Sequence, residues 1–177
     1  MFRLIKKVLD RCLEILVMVM VAVLVLDVLW QVFTRFVLND PSSWTEELAI
    51  FMLIWVSLLG AAVALNRGAH LGIDYFVGKL APRQRVYTEV FVFVCVALFS
   101  LFVMVVGGVS LVSRTLELGQ ISPALGIKVG YVYLAIPISG FFLVLYAVIG
   151  LVERVNELVR GRIDPELHIT DIDVEID

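Results

Sequence analysis

Histidine and cysteine are scarce in this chain of 177 residues, two of each, and charged residues make up only 18% of it, against about a quarter of an ordinary globular domain. Cys12 and Cys95 stand in apolar stretches with no other Cys or His at ligand spacing, so neither a disulfide framework nor a zinc centre is indicated. They read as small hydrophobes. His70 and His168 are isolated and fall outside the apolar runs. No Ser/His/Asp set, no His/Glu metal constellation and no glycine-rich phosphate loop can be assembled, which leaves an enzyme reading without machinery, and no cofactor is expected. A basic patch is missing too, and with a net charge of −3 a nucleic-acid role has nothing to rest on.

What is abundant is hydrocarbon. Hydrophobic residues make up 61% of the chain and the mean hydropathy is +1.00, where a soluble domain is roughly 45–50% apolar. The charges gather near the N-terminus, in three short connections and from Glu153 onward, leaving long uncharged runs between them. A bilayer core about 30 Å thick needs roughly 20 apolar residues at about 1.5 Å each, with every backbone amide bonded inside its own segment. Four segments meet that requirement. The first runs from Leu13 to Phe36, interrupted by Glu14, Asp27, Gln31 and Arg35; the others are free of charge from Leu48 to Leu65, Val90 to Ser113 and Val129 to Val152. None alternates as a membrane-spanning strand would.

The expected fold is therefore all-α, an integral membrane domain over residues 1–155 with four transmembrane helices at about 13–36, 46–66, 87–112 and 129–152. Between the second and third spans, Ile73, Phe76, Val77 and Leu80 recur at helical spacing before Pro82. This predicts a short amphipathic helix over about 73–81 lying in the membrane interface. Residues 156–177 form an acidic tail. The basic start followed by an apolar run resembles a secretory signal, but no small-x-small cleavage site follows, so the segment is read as a retained first span.

Arg3, Lys6, Lys7 and Arg11 precede the first span, Arg67, Lys79, Arg83 and Arg85 lie between the second and third, and Arg154, Arg160 and Arg162 follow the fourth. The other side has Arg35, Arg114 and Lys128 alone. The positive-inside rule then places both termini in the cytoplasm and the connections 38–45 and 114–128 outside.

Several polar residues invite attention. Asp27, Gln31 and Arg35, spaced i, i+4, i+8, are expected on one stripe of the first helix, facing protein or water. An ionisable group inside a span is a functional hypothesis by default, weighed here against a structural hydrogen bond to another helix or subunit, which is favoured. Ser43-Trp44-Thr45-Glu46 has the form of a capping box that would start the second helix, with Trp44 at the interface and Glu46 and Glu47 at the positive end of the helix dipole. A pair between Arg35 and Glu46 or Glu47 would clamp the first two helices. Ser57, Gly60, Ala61 and Ala64 offer a small-residue face for helix contact, as do Gly107, Gly108 and Gly140, and Pro137 is expected to kink the fourth span.

Trp30-Gln31-Val32-Phe33-Thr34-Arg35-Phe36-Val37 at the end of the first span, Trp44-Thr45-Glu46-Glu47-Leu48, Trp55 and Gly60-Ala61-Ala62, and Asn66-Arg67-Gly68-Ala69-His70-Leu71 form a familiar combination. So do Ser122-Pro123-Ala124-Leu125-Gly126 and the run from Gly130 to Pro137. From about Leu13 to Glu153 the chain resembles the small membrane (Q) subunit of TRAP transporters, the tripartite ATP-independent periplasmic carriers of bacteria and archaea. The resemblance implies a bacterial inner-membrane protein whose partners are a large multi-span subunit, a periplasmic substrate-binding protein and membrane lipids. It implies sodium-coupled uptake of an organic acid, such as a dicarboxylate or sialic acid, in which the large subunit moves the solute and the small one is a fixed scaffold. It also makes Arg35, Trp44, Glu46 and Glu47 candidates for partner contacts. The competing reading is a self-sufficient four-helix ion-coupled exporter, working as a homodimer through Asp27.

Overall fold

Backbone amides that meet no water must be bonded along their own segment, and long uncharged aliphatic runs do this as helices. The computed structural model describes residues 2–40, 42–67 and 82–159. These form α1 (Phe2–Phe36), α2 (Ser43–Asn66), α3 (Pro82–Phe99), a π-helical stretch (Ser100–Gly107), α4 (Gly108–Glu117), α5 (Val129–Tyr133) and α6 (Ala135–Val159). The helix α3, the π stretch and α4 follow one another directly as the third span, and α5 with α6 makes the fourth. Four helical segments are thus long and apolar enough to cross a membrane: Val8–Phe36, Ser43–Asn66, Val86–Glu117 and Val129–Asn156. Among the described residues there is no strand, only an isolated bridge between Ile121 and Lys128. The all-α membrane architecture is as the sequence predicts, while the expected interfacial helix over 73–81 and the tail from residue 160 lie outside the described residues.

The break in the fourth span falls at Leu134, between α5 and α6. Pro137 has no N–H with which to bond the carbonyl of Tyr133, four residues earlier, so the ladder is interrupted at that point. It resumes at once, with the Ile138 amide donating to the Leu134 carbonyl at 3.2 Å.

The spans pack as an open row. The first lies against the second, the second against the fourth and the fourth against the third. The fourth is accordingly the most buried of the four. Leu13, Leu59, Ala62, Leu65, Met104, Leu143, Tyr146 and Ala147 form the core, which sits toward the end of the spans where α1 begins and α6 ends. Within α2 the buried positions Leu59, Ala62 and Leu65 recur every three residues, the spacing of one helix face.

Hydrocarbon supplies little drive for one apolar helix to leave lipid for another, so close backbone approach matters. The third and fourth spans achieve it through glycine. A Cβ at Gly140 would lie 2.7 Å from the Cβ of Met104, and one at Gly150 would lie 2.6 Å from the Phe93 ring. The small-residue face predicted on the second span behaves differently. Ser57 and Ala61 are exposed, and a Cβ at Gly60 would meet nothing within 4 Å. It is Ala62, at 0% exposure, that faces the core. Among the described residues Gly60 makes no close approach, because a helix face set by Leu59, Ala62 and Leu65 leaves Ser57 and Ala61 turned outward.

These distances set an expectation for the purified protein in detergent. Gly140→Val forces the Met104 backbone neighbourhood apart and destabilises the protein by about 1–3 kcal/mol, read as a lower midpoint of thermal unfolding. Gly60→Ala, entering open space, leaves the midpoint within the range of a neutral substitution.

Candidate partner interface

A stripe on α1 is buried or half-buried, comprising Leu13, Val17, Met20, Leu24, Asp27, Gln31 and Thr34. Its steps of three and four residues keep it on one side of the helix, and α2 is the helix against which α1 packs. The N-terminal half of the stripe is aliphatic and the C-terminal half is polar. Asp27 is 7% exposed, Thr34 is buried with its hydroxyl donating to the Gln31 carbonyl at 3.0 Å, and Gln31 is half-buried. The Oδ2 atom of Asp27 has no hydrogen-bond partner among the described residues.

Arg35 does not share this stripe. Each step of four residues turns a helix about 40° beyond a full rotation, so a third member two steps on has drifted by about 80°. Arg35 is exposed and its guanidinium lies 5.9 Å from the centre of the Phe36 ring. The expected clamp from Arg35 to Glu46 or Glu47 is therefore not formed. Glu46 and Trp44 are exposed at the start of α2.

The capping box is absent as well. The cap is Ser42, one residue earlier than expected, and its side chain makes no capping bond. The Thr45 hydroxyl instead donates to the Ser42 carbonyl at 2.8 Å. The Thr45 proton is thus spent inside the first turn, and no side-chain cap bond to the free amides is formed there.

Glu47 is committed elsewhere. Its Oε2 accepts the backbone N–H groups of Ala124 and Leu125, both at 2.9 Å. Bonds from neutral donors to an ionised acceptor are about twice as strong as neutral ones. They tie the first turn of α2 to the connection between the third and fourth spans. That connection is itself closed on several bonds: Ser122 N–H to the Ile127 carbonyl at 2.9 Å, Gly126 N–H to the Ser122 carbonyl at 3.0 Å, and Val129 N–H to the Gln120 carbonyl at 3.0 Å. Gly126 has a φ of 69°, a conformation that glycine adopts without strain.

At the end where α1 begins and α6 ends, three polar contacts join spans, one of them between the first and fourth, which are not neighbours in the row. The Tyr146 hydroxyl donates to Asp10 Oδ1 at 2.7 Å, between the fourth and first spans. Arg67 Nε donates to Glu14 at 2.9 Å, between the second and first, and that hydrogen bond raises the guanidinium pKa further. Arg154 lies 2.7 Å from Glu89, between the fourth and third. The first and fourth spans thus meet at this end through Leu13 and Asp10. Further out they part, leaving an apolar groove of about 420 Å³ lined by Leu16 and Met20 of α1, Phe51 and Trp55 of α2, and Ile127 and Tyr131.

Comparison with known proteins decides the family. The model of the DctQ component of tripartite ATP-independent periplasmic transporters matches residues 24–157. The chain belongs to the TRAP small-subunit family. It is 31% identical over 142 residues to the sialic acid TRAP transporter small permease protein SiaQ of Vibrio cholerae, covering 80% of each chain. It is 31% identical over 99 residues to the C4-dicarboxylate TRAP transporter small permease protein DctQ of Rhodobacter capsulatus, covering 54% of this chain and 42% of the relative. A stretch of 73 residues, 39% of this chain, is 36% identical to 12% of the much longer sialic acid TRAP transporter permease protein SiaT of Haemophilus influenzae. Members of the family are transporter components, not enzymes.

The family match contains the Glu47 contact and Asp27 but begins after Asp10 and Glu14. Two of the three contacts at the terminal end thus join a matched residue, Tyr146 or Arg67, to one that precedes the match. Sequence reading missed all three pairs, although for Arg67 with Glu14 and Arg154 with Glu89 the opposite charges bordering apolar runs were a usable signal.

The contact of Tyr146 with Asp10 is the more buried of those made by α1. Tyr146→Phe removes the donor from a carboxyl held beside the core and costs roughly 1.5–3 kcal/mol, measured as loss of thermal stability in detergent. Arg67→Gln, at an exposed pair, changes stability much less.

Proposed function

We propose that the chain is the small membrane subunit of a sodium-coupled TRAP transporter for organic acids. It serves as a non-catalytic scaffold for the large transport subunit and carries part of the surface on which the soluble substrate-binding protein docks. The observation that carries this reading is membership of the TRAP small-subunit family over residues 24–157. The fold supports it physically. An open row has two broad faces, and all four spans present large exposed apolar side chains, among them Leu26, Leu53, Phe102 and Phe141. Such faces suit lipid on one side and a membrane partner on the other. The relative SiaT adds support, since there the matching stretch is 12% of one longer permease chain. The small-subunit region and additional permease sequence belong to one polypeptide in that protein.

By the distribution of Lys and Arg, the end bearing the termini lies in the cytoplasm of a bacterial cell, and the Glu47 contact lies on the outer side of the inner membrane. The solute is an organic acid by analogy with the sialic acid and C4-dicarboxylate systems named for the relatives. Arg35, Trp44 and Glu46, exposed at the outer end, are available to partners.

The buried carboxyl of Asp27 favours one other reading, in which two copies exchange protons and a cation there. The two readings separate on the reconstituted protein. Under the scaffold reading, the chain purifies in equimolar amount with a large multi-span protein, and proteoliposomes holding the chain alone take up no solute. Asp27→Asn leaves uptake by the assembled transporter within about twofold. Uptake by the chain alone, abolished by Asp27→Asn, would overturn the scaffold reading and move Asp27 to the centre of the mechanism.

A further inference from the structure

The contact made by Glu47 is unusual in what it spends. A carboxylate in the first turn of a helix would ordinarily serve the free amides of that turn. Here the amides it serves belong to Ala124 and Leu125, 77 and 78 residues further along the chain. The Leu125 N–H also lies 3.3 Å from the Ser122 hydroxyl, so Glu47 and Ser122 act on the same turn. Together with the Ile121–Lys128 bridge, these bonds close residues 120–128 into a hydrogen-bonded turn. Ser122 is buried, and Ile127 lines the apolar groove, but much of the segment is exposed. Ile121, Pro123 and Ala124 are exposed at its tip, with Gln120 and Lys128 exposed beside them. An apolar centre with a polar edge is the anatomy of a protein-binding patch. It connects the ends of Glu117 and Val129, past the spans, so a partner reaches it along the span axis and not from within the membrane. That direction of approach fits a water-soluble protein, where a membrane subunit would pack against the sides of the spans.

We propose that Glu47 is a positioning residue, whose carboxylate pre-forms the 120–128 connection as the small subunit's contact for the soluble substrate-binding protein. This rests on the tripartite reading given above. Pre-forming a loop removes the ordering cost that the partner would otherwise bear on each encounter, so the effect falls on recognition of the binding protein and not on movement of solute.

The test uses the assembled two-subunit transporter in proteoliposomes, with uptake measured against the concentration of solute-loaded binding protein. Glu47→Ala raises the half-saturating concentration of binding protein at least fivefold while uptake at saturation stays near that of the unaltered transporter. Glu47→Gln, whose amide oxygen still accepts the two N–H groups, recovers most of the loss. Ile121→Asp, at an exposed side chain that the fold does not use, raises the same concentration and keeps the test open if Glu47→Ala does not assemble. An unchanged half-saturating concentration in Ile121→Asp overturns the inference, as does loss of uptake at saturation with no change in that concentration. Failure of the unaltered chain to assemble with a large subunit, or uptake that ignores the binding protein, would instead overturn the tripartite reading.

Discussion

The close approach of the third and fourth spans is the contact on which the rest of the row depends. In hydrocarbon, an apolar side chain gains little by leaving lipid for another helix, so association rests on packing and on a few polar bonds. The fourth span is placed where it must satisfy two neighbours at once. Toward the third it offers Gly140 and Gly150, whose missing side chains let Met104 and Phe93 come in. Toward the second it offers Leu143, Tyr146 and Ala147, which share a core with Leu59, Ala62 and Leu65. Moving the fourth span outward on either side would break the row in two.

Polar groups are distributed so that most of their bonds fall at the ends of the spans. Asp10, Glu14 and Glu89 find partners at one end, and Glu47 finds its partners at the other. At such levels water can complete what the protein leaves unbonded, so each contact orients helices without a large desolvation penalty. Asp27 departs from this pattern, lying well inside a span with Oδ2 buried and unbonded. A carboxyl in that position is costly wherever it is found, and packing against α2 does not explain it.

How far the sequence spoke depended on the kind of question. Span number and helix type follow from uninterrupted runs such as Val90 to Ser113, since the bilayer leaves few alternatives. The placing of Asp27 and Gln31 toward a neighbouring helix was legible from their spacing, while Arg35 escaped because an i, i+8 relation is only loosely one face. The capping box at Ser43 looked right as a four-residue pattern, yet Thr45 turned to the Ser42 carbonyl. Glu47 was singled out, but its partners were not, because backbone N–H groups 77 residues away carry no side-chain signature. Gly60 stands out in the sequence and Gly150 does not, yet Gly150 makes the close approach: a small residue announces that approach is possible, and only the neighbouring helix decides where it happens.

An open row also bears on which kind of transport chemistry the chain can host. A solute path through lipid needs polar groups enclosed on several sides, so that the solute exchanges water for protein ligands and not for hydrocarbon. A ring of helices creates such an enclosure, whereas a row has two faces and no inside. The groove between the first, second and fourth spans is the nearest approach to an enclosure among the spaces described, and Leu16, Met20, Phe51 and Trp55 line it with hydrocarbon and an aromatic ring. A surface of that kind accepts an acyl chain or an apolar helix far more readily than a carboxylate. The same geometry that makes the row a poor channel leaves both of its faces open to be covered without closing off a cavity.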